Sequence, residues 1–109
     1  MLREQVGVLS VDDEQIRASI RRDFKEFGFA TCPHTATATW TWRHLDPAVA
    51  DRDDWILVAT AHPAKFETIV EPLIGEAVPV PPELAELLSR PAHATLIEPT
   101  LAALSKVLS

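Results

Sequence analysis

The stretch Ile56–Val70, "ILVATAHPAKFETIV", reads as an apolar strand that runs directly into a helix. With the preceding tryptophan, residues 55–61 ("WILVATA") form a nearly continuous apolar run, which is typical of a parallel-sheet strand covered on both faces. A proline directly after the strand suits the first helical turn, where its missing N–H would have had no partner. The sequence therefore predicts a strand-to-helix junction that carries Thr60, His62 and Lys65.

This junction has two interpretations. Ligands of open α/β sheets bind beyond the carboxyl ends of the strands, and a helix N-terminus there offers free N–H groups to an anion or a polarised ring nitrogen. Alternatively, Thr60 or His62 only caps the helix, and Lys65 is a solvated residue of the first turn. The residues alone leave both interpretations open, with the helix cap as the simpler one.

The first half of the chain predicts a strand, a helix and an ambiguous segment. Gln5–Val11 is short, apolar and rich in β-branched residues, which favours a strand. Asp12 and Gln15 have the spacing of a capping box, and Gly28 follows the last apolar position of the helix that they begin. Threonine and tryptophan alternate across residues 35–42, and this period of two favours a strand.

The second half predicts two short helices and a strand after the junction helix. "PELAELLSR" (82–90) and the last residues, from Pro99 or Thr100 onward, favour helices, and "ATLIE" (94–98) favours a strand. The proline-rich stretch 78–82 reads as an extended connector. The alternation of strands and helices indicates an α/β fold.

Composition excludes several classes of protein. The chain has 109 residues, which fits one domain, and its net charge of −6 argues against a nucleic-acid partner. We expect no membrane span and no signal peptide, and the lone cysteine, Cys32, is compatible with a cytoplasmic protein. The hydrophobic content of 47% is high for so small a chain, so we expect apolar surface that another body covers.

A metal site and a nucleophilic site are weaker hypotheses. Cys32, His34 and His62 could ligate a metal, but the sequence lacks a paired C-x-x-C or an H-x-x-x-H on one helical face, so we predict no metal site. Cys32 as a nucleophile would need an identifiable base, and most such cysteines are small buried hydrophobic residues.

Two stretches together point to a known family. "CPHTATA" (32–38) followed by "VATAHPAKF" (58–66) resembles the C-terminal part of threonine synthase, and the flanking segments extend the resemblance over nearly the whole chain. The resemblance implies a single segment, residues 1–109, of a pyridoxal 5′-phosphate (PLP) domain with the fold of tryptophan synthase β. The expected fold is a partial three-layer open sheet with flanking helices, in the order β-α-α-β-α-α-β-α. It also implies that residues 35–45 are helical, despite their alternation.

The same resemblance assigns site residues and an activity. Threonine synthases use PLP to convert O-phosphohomoserine and water into threonine and phosphate, a carbon–oxygen lyase reaction. By its position in the motif, Thr60 would be the hydroxyl partner of the cofactor's pyridine nitrogen. The resemblance places His62, Lys65, His34 and Thr35 near the same site, without an assigned role and with no catalytic residue among them.

The family's lysine and phosphate loop are not recognisable in this sequence. Lys25, Lys65 and Lys106 are the only lysines, none matches the Schiff-base motif, and the glycines are isolated. We therefore expect that the chain alone neither holds PLP stably nor makes threonine, and that its partner is the missing N-terminal portion of the enzyme or a self-association surface. Two alternatives stay open: a non-catalytic interaction module derived from the same fold, and a small enzyme that uses His34 and His62 with Lys65.

Overall fold

The computed structural model describes residues 7–109, and its regular elements begin with a well-capped helix. Helix α1 spans Asp13–Phe27. The side chain of Asp12 accepts a hydrogen bond from the Gln15 N–H, and the Gln15 side chain accepts one from the Asp12 N–H, so the predicted capping box is confirmed. Gly28 ends the helix at φ 76°, a left-handed conformation that glycine adopts without steric cost.

Helix α2 spans Pro33–Arg43, where the alternation of threonine and tryptophan favoured a strand. The family resemblance predicted the correct element. Two threonine hydroxyls of α2 find partners within the fold. Thr37 donates to the His34 carbonyl, and Thr39 contacts the Ala36 carbonyl and also lies in the interface with α1. Helix propensity is a weak preference, and tertiary packing overrides it here.

Four further helices and one 3₁₀ turn complete the regular structure of residues 7–109. They are α3 (Pro47–Ala50), the 3₁₀ turn (Pro63–Phe66), α4 (Glu67–Ile74), α5 (Pro82–Leu88) and α6 (Leu101–Leu108). The helices predicted after the junction, at 82–90 and at the end of the chain, are thus confirmed within a few residues. None of these elements, nor α1 or α2, is long and apolar enough to cross a membrane.

The α/β open-sheet prediction is wrong for the described chain, since residues 7–109 contain no strand. Residues 55–60 have no regular secondary structure, Ala61 lies in a bend, and residues 94–98 are likewise irregular. The predicted strand Gln5–Val11 lies partly outside the described residues, and its described part, 7–11, is irregular. The physical reason is that a strand exists only as one side of a hydrogen-bonded ladder, however strong its side-chain pattern.

The chain divides into two compact units, of which the first runs to Pro79 and the second is Val80–Ser109. In the first unit α1 packs against α2 and α4, and α4 continues directly from the 3₁₀ turn. Its buried apolar core includes Ile20, Ala36 and Val70. The second unit contains α5 and α6, neither of which has a buried residue. That the whole chain is one segment of a PLP domain stays a prediction.

Candidate functional site

The first unit contains a cavity of about 500 Å³ beside the start of α2. Its wall combines the end of α1, the loop into α2, the segment that precedes the 3₁₀ turn, and the residues that follow α4. Most of the lining is apolar, and its polar residues are Thr31, Cys32, Thr35, His62 and Glu76. An apolar concavity with a few convergent polar groups is the usual form of a small-molecule site.

Cys32 connects the elements around this cavity. Its side chain is 1% exposed, and its Sγ atom caps α2 by accepting a hydrogen bond from the Thr35 N–H at 3.4 Å. The same sulfur lies 3.2 Å from the Thr35 hydroxyl and 3.9 Å from the Thr60 hydroxyl. The sequence predicted a small buried residue here, and the structure adds that the thiol links three polar partners.

Two opposing effects act on the Cys32 thiol. Burial raises its pKa, but hydrogen bonds from the Thr35 hydroxyl and N–H, the Thr60 hydroxyl and the His34 N–H favour the thiolate. Together they lower the pKa of Cys32 below its ordinary value of 9.0. This is the effect expected of a sulfur at a helix N-terminus.

Thr60 is the last residue of the irregular segment 55–60, within the run 55–61 that the sequence predicted to be a strand. The residue is exposed, and its hydroxyl contacts the Cys32 sulfur. Its neighbours Ala59 and Ala61 both line the cavity. Thr60 itself is not part of the cavity wall, and its hydroxyl contacts the sulfur of Cys32, which is.

The helix-cap interpretation holds for His62. Its Nδ1 atom accepts a hydrogen bond from the Ala64 N–H at 3.2 Å, which caps the 3₁₀ turn, and its side chain also lines the cavity. Because Nδ1 is an acceptor in this bond, the neutral ring carries its proton on Nε2. Lys65 is exposed and is not part of the cavity wall, as the solvated interpretation predicted.

The other two predicted site residues, Thr35 and His34, lie in different environments. Thr35 is buried in the cavity wall and bonded to Cys32, as described above. His34 is exposed, and its ring lies against Phe66, with 5.3 Å between the ring centroids. The cavity wall thus contains Thr35 and His62, whereas Thr60, His34 and Lys65 are outside it. Thr60 still contacts the wall residue Cys32 through its hydroxyl.

Sequence reasoning missed a buried polar network between α1 and α2. The Asp23 carboxylate is fully buried and accepts hydrogen bonds from Thr31 at 2.7 Å, from Thr39 at 2.8 Å and from Arg43 at 2.6 Å. A signal was present, since Thr35 and Thr39 are four residues apart and share one helical face. A sequence with threonine at every second position is therefore compatible with a helix when every second threonine, here Thr35 and Thr39, is buried.

Among the residues described, no group of three or more His, Cys, Asp or Glu side chains is placed to hold a metal ion. The sites considered from the sequence, Cys32 with His34 and His62, do not assemble. Cys32 is occupied by hydroxyl and N–H partners, and His62 uses Nδ1 for its cap.

Comparison with known proteins identifies the family. A family model described as "Threonine synthase, C-terminal" matches residues 35–108. The chain belongs to this threonine synthase C-terminal family. It corresponds to the C-terminal part of a threonine synthase, as the motifs at 32–38 and 58–66 predicted.

Individual relatives agree with this assignment. The chain is 34% identical over 105 residues to threonine synthase of Escherichia coli, which covers 96% of this chain and 24% of that protein. It is 33% identical over 82 residues to the Serratia marcescens enzyme, covering 75% of this chain and 18% of the relative. The crystal structure of E. coli threonine synthase matches 97% of this chain with a TM-score of 0.78. The chain thus spans about a quarter or less of the relatives that it matches.

Proposed function

We propose that this chain supplies one wall of a threonine synthase active site, in which the Thr60 hydroxyl pairs with the pyridine nitrogen of PLP. In this role it acts together with the rest of such an enzyme, which converts O-phosphohomoserine and water into threonine and phosphate. The observation that carries the proposal is the contact of the Thr60 hydroxyl with the Cys32 sulfur at the start of α2, together with Ala59 and Ala61, the neighbours of Thr60, in the cavity wall.

The described residues fit only one edge of the cofactor. A hydroxyl such as that of Thr60 can donate to an unprotonated ring nitrogen, whereas a carboxylate there would hold the nitrogen protonated. The phosphate and Schiff-base ends lack partners in residues 7–109: Lys65 is outside the cavity wall, and a Cβ added at Gly7, Gly28 or Gly75 would meet nothing within 4 Å, so none forms a close phosphate cradle.

The chain's own residues have limited chemical roles in this proposal. When bound, PLP supplies the electron sink for the reaction. Thr60 holds the ring nitrogen through one hydrogen bond, and the Cys32 sulfur, 3.9 Å from the Thr60 hydroxyl, limits the directions in which that hydroxyl can turn. His62 lines the cavity, and its neutral ring carries its proton on Nε2 because Nδ1 accepts from the Ala64 N–H.

A chimera tests the role of Thr60. In it, this chain replaces the matching C-terminal portion of E. coli threonine synthase. Thr60→Val removes the hydroxyl at nearly constant volume and should lower kcat about 10- to 100-fold, as expected when a hydrogen bond worth about 1.5–3 kcal/mol is lost.

Thr60→Ser is the matched control, because it keeps the hydroxyl and should stay close to the parent chimera in rate. The absorption spectrum of the bound cofactor should change in the valine variant and not in the serine variant. A valine variant with the parent's kcat and spectrum would show that Thr60 does not contact the ring.

A further inference from the structure

The loop between α1 and α2, residues 28–32, supplies five consecutive residues of the cavity wall. Within residues 7–109, the only hydrogen bond formed by residues 29–31 runs from the Thr31 hydroxyl to the Asp23 carboxylate, at 2.7 Å. Thr31 is 5% exposed and Asp23 is fully buried. The position of this part of the wall therefore depends on one buried hydrogen bond.

The Asp23 carboxylate is itself held in place. It belongs to α1, and Arg43 at the end of α2 donates to its other oxygen at 2.6 Å. Hydrogen bonds to a charged group are shorter and stronger than neutral ones. Because α1 and α2 also pack against each other, Thr31 is attached to a fixed point between two helices.

The Thr31 hydroxyl is not free to donate to a ligand. A threonine hydroxyl has one proton, and here that proton is directed at Asp23. The residue that follows Thr31 is Cys32, whose sulfur caps α2 and lies 3.9 Å from the Thr60 hydroxyl. A side chain with these neighbours can act on a site only by holding other residues in place.

We propose that Thr31 is a positioning residue that fixes Cys32 and, through it, the Thr60 hydroxyl. This proposal rests on the proposed function, in which that hydroxyl meets the pyridine nitrogen of PLP. The alternative is that Thr31 only satisfies a buried charge. Thr39 separates the two roles, because it donates to the same Asp23 oxygen at 2.8 Å and is 2% exposed but is not part of the cavity wall.

The first measurement is an ultraviolet titration of the Cys32 thiolate in this chain. Thr31→Val removes the hydroxyl at nearly constant volume, so the sulfur should move away from its hydroxyl partners and the midpoint should rise. Thr39→Val removes a hydrogen bond to the same Asp23 oxygen and should titrate like the parent. Thr31→Ser keeps the hydroxyl and should restore the parent's midpoint.

Circular dichroism verifies that each variant is folded. If Thr31→Val is not folded, Thr31→Ala takes its place in the same comparison, because it brings no additional methyl group towards the Asp23 carboxylate. An unchanged midpoint in the folded Thr31 variant, or an equal shift in Thr39→Val, overturns the proposal.

The second measurement is a double-mutant cycle in the chimera with the E. coli enzyme. Thr31→Val should lower kcat about 10-fold with little change in KM, because a displaced group no longer meets the reacting atoms in productive geometry. Added to Thr60→Val, it should lower kcat no further, since both changes act through one hydroxyl. Losses that multiply in the double variant overturn the proposal.

The outcomes also separate this proposal from the proposed function. A midpoint raised only in Thr31→Val, together with a rate that does not depend on Thr60, would contradict only the role of Thr60. An unchanged midpoint together with a Thr60-dependent rate would contradict only the positioning by Thr31.

Discussion

Asp23 is a fully buried carboxylate surrounded by donors from three parts of the first unit. Arg43, whose side chain is 7% exposed, bonds one carboxylate oxygen, and the hydroxyls of Thr31 and Thr39 bond the other. Arg43 also bonds Glu26 at 2.7 Å. A buried ion pair adds little net stability relative to a well-packed apolar pair, but removal of one partner leaves a buried charge uncompensated.

The first prediction concerns this ion pair. Arg43→Met should destabilise the chain by about 3–5 kcal/mol, because the buried Asp23 carboxylate would lose its cationic partner. The measurement is urea denaturation followed by circular dichroism. Arg22→Met is the matched control, since Arg22 is 57% exposed in its pair with Glu26 and its loss should barely move the midpoint. Equal midpoints for the two variants would show that Asp23 and Arg43 are not coupled.

The exposed Glu26 responds to the same arginines. The hydrogen bond from Arg22 is the main cause of its lowered pKa, burial opposes it, and the hydrogen bond from Arg43 adds to it. Its contribution to stability is therefore present above its ordinary pKa of 4.5 and is lost as the pH falls through the lowered value.

At the scale of elements, the starts and ends of the helices could be predicted from the local sequence, whereas the state of the irregular segment 55–61 could not. The capping residues of α1 lie within four positions of the helix that they begin, so a short window contains the whole interaction. Pro63 at the first position of the 3₁₀ turn and Gly75 after α4, at φ 79°, are equally local. Residues 55–61 need a partner strand that no local window contains, so their state could not be read from composition.

The second prediction concerns the Cys32 thiol at the start of α2. Because the pKa of Cys32 is lowered, an ultraviolet titration of its thiolate should show a midpoint below 9.0, the ordinary value of a cysteine. Thr35→Val removes the hydroxyl that favours the thiolate and should raise this midpoint. Cys32→Ser has no thiol and therefore gives the background absorbance to subtract. A midpoint that does not change in Thr35→Val would contradict the hydrogen bond.

The lowered pKa of Cys32 also makes the stability of the chain depend on pH. A thiol whose folded pKa lies below its unfolded value contributes stability that is fully present above pH 9.0 and is lost as the pH falls through the folded pKa. The stability of the parent chain relative to Cys32→Ser should therefore rise as the pH approaches 9.0 from below.

At the scale of the whole molecule, apolar surface is abundant. Leu96 is 98% exposed, Ile56 is 88% exposed and Val8 is 84% exposed, so the described residues have the exposed apolar surface that the composition predicted. A chain of this size has a high ratio of surface to volume and buries few side chains completely.

The last prediction is that the isolated chain, mixed with PLP, forms no stable adduct at one lysine that borohydride can trap. The reason is that Lys65 lies outside the cavity wall and no glycine offers a phosphate cradle. Mass spectrometry after reduction measures the result, with full-length E. coli threonine synthase as the positive control. A stoichiometric adduct at a single lysine of the isolated chain would overturn this prediction.

The sequence by itself determined the family, through the motifs at 32–38 and 58–66, and the ends of the helices, because caps and left-handed glycines act within one turn of chain. Only the tertiary structure decided the rest. The face of α2 that meets Ser19 and Asp23 made a helix of an alternating sequence. Residues 55–61, whose composition favours a strand, pair with no strand within residues 7–109 and are irregular. Both outcomes depend on contacts between residues far apart in the chain, which no local pattern contains.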